Sequence, residues 1–238
     1  DNSQNIDNIL NINHNQRNFF LFSNIYWDVG MTETQTIYNG VLDWIYNTIK
    51  IVEKIEDIDL YIKPHPGEYY DSASSLVGVE DFIKINFPSL NNRIKIIRPN
   101  MKINTYELVK YIDLGLFYNG TFGLELLNLK KPVVVCAAAP YSNISGTFNP
   151  KSNDDYEEIL KSFKTNSIKI NMDEIKLFSY FYFIKTPIPW TLTDRAYGDD
   201  FKKFKINSYD DLLEGKNYYL DHILNCIINP KKTVIENW

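Results

Sequence analysis

The chain has 238 residues, of which 44% are hydrophobic and 23% are charged, so a folded globular protein is expected and disorder is not. The 25 basic and 30 acidic residues give a net charge of −5, and no long basic run occurs along the chain. A nucleic-acid backbone requires a clustered Lys/Arg face, so we expect no nucleic-acid partner.

The sequence shows no signal peptide and no apolar run near the ~20 residues of a membrane span. We therefore expect a cytoplasmic protein, with at most a peripheral association at the inner face of the membrane. Cys136 and Cys226 stand in apolar surroundings, which favours buried thiols, and no Cys/His spacing predicts a metal site. The chain starts at Asp1 and not at Met, which indicates a piece of a longer protein.

Residues 1–16 are polar and Asn-rich, which favours a linker or a loosely docked arm. Apolar runs of strand length then alternate with helical patterns as far as residue 150. The predicted strands are residues 18–26, 59–63, 93–97, 113–118 and 133–136. The predicted helices are residues 36–54, with Thr34 or Thr36 as the cap, 79–87, 105–112 and the stretch after residue 121.

Alternating strands and helices with short connections predict an α/β fold, a doubly wound parallel sheet of the Rossmann-like type over residues 17–150. Residues 151–238 change in pattern and are predicted to be a mainly helical extension packed on the same domain. Helical stretches are expected there at 154–163, 173–184 and within 209–228. Ligands of such a sheet bind beyond the carboxyl ends of its strands.

A histidine between two prolines follows the second predicted strand, in the sequence KPHPGE at positions 63–68. Each proline restricts the backbone, so His65 is presented rigidly and could donate a hydrogen bond to a phosphate oxygen. The alternative is a surface turn that happens to contain a histidine.

The sequence NGTFGLELLNL at positions 119–129 predicts a turn that enters a helix after the fourth strand. Gly120 and Gly123 allow the backbone to approach a ligand, and Thr121 adds a hydroxyl beside the helix N–H groups, which suits phosphate. Glu125 lies one turn into the helix, within reach of a ribose. The alternative is that these residues only cap a core helix.

Trp27 and Asp28 follow the first predicted strand, so the loops after strands one, two and four should share one rim of the sheet. A plainer interpretation makes Asp28 a cap or turn residue and Trp27 a core aromatic.

These segments together resemble the bacterial capsule polysaccharide biosynthesis glycosyltransferases, on FSNIYWDVG (22–30), Asp43-Trp44, KPHPGE and NGTFGLELLNLKKPVVV (119–135). Members of that group are GT-B enzymes, in which two Rossmann-like domains face each other across a cleft and the C-terminal one binds a nucleotide-activated sugar. A similar His-Pro motif occurs in Kdo transferases, bacterial sialyltransferases and teichoic-acid polymerases.

The resemblance implies a role for each motif residue. His65 and Thr121 would contact the donor phosphates, with His65 and Asp28 in the catalytic site. The remaining donor-binding residues would be Glu68, Asn119, Gly120, Gly123 and Glu125. Relatives often carry two or three consecutive Ser/Thr in the turn, whereas only Thr121 follows Asn119-Gly120 here, so the nucleotide stays open.

The implied function is metal-independent transfer of a sugar from a CMP-, CDP-, UDP- or GDP-linked donor to a growing surface polysaccharide, with no other cofactor. Only one doubly wound domain fits into 238 residues. The general base and the glycan-acceptor site would therefore come from an N-terminal GT-B domain, in the parent chain or in a partner protein. Two alternatives stay open: a polyol-phosphate transferase of the CDP-glycerol type, and a non-catalytic module that binds nucleotide sugar or glycan in an assembly complex.

Overall fold

A computed structural model describes residues 6–27, 36–69, 75–164, 167–189, 192 and 205–229. The strands are β1 Arg17–Phe22, β2 Ile58–Lys63, β3 Ile94–Ile96, β4 Leu114–Phe117, β5 Val133–Val135 and β6 Thr147–Phe148. The helices are α1 Ile6–Leu10, α2 Val41–Val52, α3 Val79–Asn86, α4 Thr105–Leu108, α5 Phe122–Asn128, α6 Asn153–Ser162, α7 Met172–Tyr180 and α8 Tyr218–Ile228.

The strands form one six-stranded sheet in the order β3-β2-β1-β4-β5-β6, and every pairing is parallel. Strand β1 lies at the centre, and five of its six residues are buried, as expected for a strand covered on both faces. The prediction of a doubly wound, Rossmann-like α/β fold is confirmed.

The two faces of the sheet carry different helices. Phe19 and Leu21 of β1 belong to the main core, which the sheet forms with α2, α3 and α6. Their neighbours Phe20 and Phe22 point to the opposite face, where the Phe22 ring lies 4.9 Å from that of Phe122 in α5. This alternation puts helices on both sides of the sheet and leaves its two rims to the loops.

Most predicted elements have the expected type with shorter bounds. Helix α2 is the clearest difference, because it starts at Val41 and not at residue 36. Gly40 precedes it with φ +134°, outside the helical region, so the periodic pattern of 36–40 is not helical. Thr36 caps no helix, and instead its hydroxyl donates to Cys136 O at 3.0 Å. The two-residue strand β6 was missed because a strand that short has no pattern of its own.

The chain divides into two compact units, Asp1–Ile175 and Lys176–Trp238. Unit 1 contains the whole sheet. It also includes α6, whose Tyr156 and Leu160 are fully buried in the main core, and α1, which buries Ile6 and Leu10 within the segment assigned to a polar arm. In unit 2, α8 is capped by the side chain of Asn217. That residues 151–238 pack on the same domain stays a prediction.

Candidate functional site

The strand order places a topological switch at β1 and β4. The chain winds outward from β1 through β2 to β3, then crosses back to β4 on the other side of β1. The loops after β1 and β4 therefore leave the sheet in opposite directions. This opens a crevice at the carboxyl ends of the two strands, which is where ligands of such folds bind.

His65 stands in a tight turn after β2 that its neighbours fix. The Ser23 hydroxyl, just beyond β1, accepts a hydrogen bond from the His65 backbone N–H at 3.1 Å. The Gly67 N–H donates to His65 Nδ1 at 3.0 Å. Because Nδ1 accepts, the proton of the neutral imidazole is on Nε2, which makes Nε2 a donor. The His65 side chain is exposed at the rim.

At Gly67 the turn leaves no room for a side chain unless Ile25 or His65 moves. A Cβ at this position would lie 2.8 Å from Ile25 Cδ1 and 2.9 Å from His65 Nδ1, closer than real contacts allow. The prolines restrict the backbone of the motif, while Ser23 and Gly67 set the position and the tautomer of the ring.

The Asn119–Thr121 turn after β4 is tied to the loop after β1. Asn24 Nδ2 donates to Asn119 Oδ1 at 3.3 Å. Gly120 has φ +130°, a conformation that L side chains rarely adopt. The Tyr141 hydroxyl donates to the Gly120 carbonyl. A Cβ at Gly123 would collide with that same hydroxyl, so both glycines are needed for the turn to close.

Thr121 stands at the start of α5 with an exposed side chain, and its hydroxyl makes no capping hydrogen bond. Helix α5 has only 7 residues, about two turns. The free N–H groups of its first turn, and not the dipole of a long helix, are therefore what this turn offers to an anion.

The structure brings the two predicted motifs to one edge of the sheet. His65 follows β2 and Thr121 follows β4, and both strands pair with β1. A chain of hydrogen bonds connects them, from the His65 backbone through Ser23, along the chain to Asn24, and on to Asn119. Their contact with phosphate stays a prediction.

Of the three predicted carboxylates, Glu68 and Glu125 have protein partners. Glu68 is buried, and its Oε2 accepts from the Val79 N–H at the start of α3 at 3.1 Å. Its Oε1 is buried with no hydrogen-bond partner among the described residues. Burial raises the pKa of Glu68, against the effect of the Val79 bond. Glu125 accepts a hydrogen bond from the Tyr106 hydroxyl of α4.

Of the nearby cations, Lys63 is the candidate for balancing donor charge. Arg93 donates to the carbonyls of Ile55 and Ile58, and Arg98 pairs with Glu80, so both have structural partners. Lys63 ends β2 next to the His65 turn, and burial lowers its pKa. No ion pair to Lys63 occurs within the part of the chain that the structure describes.

Asp28 lies outside the described residues, so its predicted catalytic role is untested. Its neighbour Trp27 is 48% exposed, so the interpretation of Trp27 as a core aromatic is wrong.

Four residues that hold the site together were not among the predicted site residues, namely Ser23, Asn24, Tyr106 and Tyr141. Ser23 and Asn24 could have been found, because they directly follow the central strand at the carboxyl rim. Tyr141 gave no signal, since its contact with Gly120 spans 21 positions.

Over the described ranges, no three His, Cys, Asp or Glu side chains group as metal ligands. That the chemistry is metal-independent stays a prediction. None of the described helices is both long and apolar enough to span a bilayer.

No protein-family model and no curated protein matches this chain. Among solved structures, the chain is similar to KpsC of Thermosulfurimonas dismutans, a beta Kdo 2,7 transferase, at 14% identity and a TM-score of 0.45. It is also similar to the UDP-GlcNAc 2-epimerase of Neisseria meningitidis, bound to UDP-GlcNAc, at 12% identity and a TM-score of 0.47. A third similar structure is the wall teichoic acid polymerase TagF, at 12% identity and a TM-score of 0.42.

These alignments cover 72%, 75% and 73% of this chain, and 50%, 47% and 41% of the three solved chains. The chain thus spans half or less of the length of each of these proteins. At these identities and TM-scores, the matches decide neither the family nor the ligand.

Proposed function

We propose that unit 1 binds the phosphate-bearing part of a nucleotide-activated sugar and is the donor-binding half of a glycosyltransferase. The observation that carries this proposal is the hydrogen-bonded connection of the His65 turn to the Asn119–Thr121 turn through Ser23 and Asn24, at the switch point of the sheet. An imidazole donor and a turn of free amides on one rim suit the phosphate groups of one nucleotide-activated sugar.

In the proposed reaction, His65 Nε2–H, the Thr121 hydroxyl and the first amides of α5 stabilise the negative charge that develops on the leaving nucleotide. Donors that are already oriented cost little reorganisation when the charge appears. The Gly67 bond to Nδ1 keeps the donating tautomer in place. Lys63 would add a positive charge beside them. The sugar acceptor, the polysaccharide product and the cytoplasmic location extend the proposal on the sequence resemblance alone.

Calorimetry with CMP, CDP, UDP and GDP tests the proposal on the 238-residue chain. We expect at least one of these nucleotides to bind below millimolar concentration. His65→Ala should weaken that binding by roughly tenfold, the loss of one charge-assisted hydrogen bond. His14→Ala is the matched control, because His14 precedes β1 and lies at the amino end of the sheet. If no nucleotide binds to folded protein, or if His65→Ala binds as the wild type does, the proposal is wrong.

A further inference from the structure

A pocket of about 420 Å³ opens beyond the ends of β5 and β6 in unit 1, and none of the described residues to which the resemblance gives a role lines it. Its size falls within the range of about 300–1,000 Å³ that holds small molecules. Its wall contains Thr36, Ala138, Ser142, Asn143, Asn149 and Lys151.

The pocket adjoins the candidate phosphate turn. Past the last paired residues of β4 and β5, the Ala137 N–H donates to Tyr118 O at 2.8 Å, so Ala137 lies beside the residue that precedes Asn119. The loop that forms the pocket wall also contains Tyr141, whose hydroxyl holds the Gly120 carbonyl. A ligand anchored by phosphate at the turn would therefore have its neighbouring group at the pocket.

The lining favours a hydroxylated, non-planar ring. The Ser142 hydroxyl accepts from the Ala139 N–H at 2.9 Å and can still donate its own proton to a ligand oxygen. Asn149 is fixed by its bond to Val135 O, and Asn143 and Lys151 add an amide and an ammonium group. The apolar part of the wall consists of three consecutive alanines, 137–139, together with Ile37, Val135, Cys136 and Pro150.

The same lining disfavours the other parts of a nucleotide sugar. None of the described residues that line this pocket is aromatic, so they offer a planar base no ring to stack on. Among the described lining residues, Lys151 alone carries a charge, and a diphosphate usually receives more positive charge than that.

We propose that this pocket is the subsite for the sugar ring of the donor, an inference that rests on the proposed function. Ser142, Asn143 and Lys151 form hydrogen bonds to the ring oxygens. Ala138 sets the space available to the ring, since a larger side chain at that position extends into the pocket.

The test compares, by calorimetry, each nucleotide with its sugar conjugate: UDP with UDP-glucose, GDP with GDP-mannose, and CMP with CMP-N-acetylneuraminate. We expect the preferred conjugate to bind the wild type roughly tenfold more tightly than the free nucleotide, about 1.4 kcal/mol. Ala138→Leu and Asn143→Ala should each bring this ratio toward one and leave the affinity for the free nucleotide unchanged. Asn92→Ala, at an exposed asparagine before β3, is the matched control. It should leave unchanged both the affinity ratio and the affinity for the free nucleotide.

The outcomes separate the two proposals. If a free nucleotide binds but its sugar adds no affinity, or if the ratio survives in both pocket variants, the sugar subsite is wrong and the proposed function stands. If no nucleotide binds to the folded wild type, the proposed function fails and the subsite fails with it. Asn143 is exposed, so Asn143→Ala keeps the test decisive even if Ala138→Leu does not fold.

Discussion

Gly67 shows how a single residue determines the geometry of the His65 turn. The sequence predicted a rigidly held imidazole and attributed its rigidity to the two prolines. In the structure the ring is also held by contacts from Gly67 and from Ser23, which is 42 positions away. The local pattern could indicate a turn, but it could not show which hydrogen bonds fix the turn. The partner of the His65 N–H, Ser23, lies just after β1, in a distant part of the chain.

Replacing Gly67 by alanine should disrupt this turn. The added Cβ meets Ile25 and His65 at less than 3.0 Å, so we expect a loss of about 1–3 kcal/mol in the free energy of unfolding and weaker nucleotide binding. Gly78→Ala is the control, because its Cβ would have only an ordinary contact of 3.7 Å with Glu68. Urea denaturation and calorimetry on both variants check the prediction, and equal behaviour of the two would contradict it.

Glu68 should make the stability of the protein fall as the pH rises. Burial raises its pKa above the ordinary 4.5, so between these two values the folded state binds more protons than the unfolded state. The contribution is fully present below pH 4.5 and is lost as the pH rises through the folded-state pKa. Glu68→Gln keeps an oxygen for the Val79 N–H but removes the charge. Its stability relative to the wild type should therefore increase from pH 4 to pH 8 in urea denaturation.

Glu80→Gln is the matched comparison for this pH series. Burial raises the pKa of Glu80, but the hydrogen bonds from Lys84 and Arg98 outweigh it and hold the pKa below its usual value. Its stabilising contribution is therefore present at neutral pH and is lost on acidification. A Glu68→Gln difference that stays constant with pH, or changes as that of Glu80→Gln does, would refute the assignment.

At the scale of elements, the sequence was most informative where a periodic pattern was long. The helix predicted at 79–87 is found as α3, and all five predicted strands of the sheet are found. The strand predicted at 59–63 gains one residue, and the other four lose one to four end residues. Element ends depend on local backbone conformation, as at Gly40, and on contacts with distant segments. The bond from Thr36 to Cys136 is one such contact, and it forms only once the sheet is assembled.

Arg17 connects two elements that are far apart in the chain. Its Nη1 donates to the carbonyls of Leu160 and Phe163 at the end of α6, at 3.0 and 2.6 Å, and its Nη2 lies 2.7 Å from Asp57 Oδ1. A cation at a helix C-terminus satisfies carbonyls that have no partner within the helix. The guanidinium also lowers the pKa of Asp57 through their hydrogen bond.

Arg17→Met should therefore destabilise unit 1 by about 1–3 kcal/mol, because it leaves part-buried carbonyls unpaired. Arg17→Lys should recover only part of this loss, since an ammonium cannot reproduce the planar fork. Arg98→Met removes an exposed ion pair and should cost about 1 kcal/mol or less. Thermal unfolding of the three variants distinguishes these cases, and the prediction is wrong if Arg17→Met and Arg98→Met unfold alike.

At the scale of the whole molecule, the alternation of strands and helices was sufficient to predict a parallel doubly wound sheet. It was also sufficient to put His65 and Thr121 on one rim, because the carboxyl ends of parallel strands share an edge. The pocket past the ends of β5 and β6 could not be predicted from the sequence. Its described walls come from three separate segments, within residues 36–37, 135–143 and 149–151, and these segments meet only in the register that the sheet adopts.

The proposed function predicts binding without turnover by the 238-residue chain alone. In the proposed function, the sheet of unit 1 would form the donor-binding wall of a two-domain cleft, and the general base would come from the opposite wall. We expect no release of nucleotide from UDP-glucose, GDP-mannose or CMP-N-acetylneuraminate by this chain, even where the donor binds. Chromatography of the products formed by residues 1–238 measures this. Turnover by residues 1–238 alone would rule out the half-enzyme proposal.

Strand β1 pairs with β2 on one side and with β4 on the other, so two strand spacings, roughly 10 Å, separate the ends that lead to His65 and Thr121. Deleting one residue from β1 would invert its buried side chains and withdraw Ser23 and Asn24 from both turns at once. The distance between the two motifs is therefore set by the spacing of the strands. Point mutations can change the side chains at either motif far more easily than they can change the distance between the motifs.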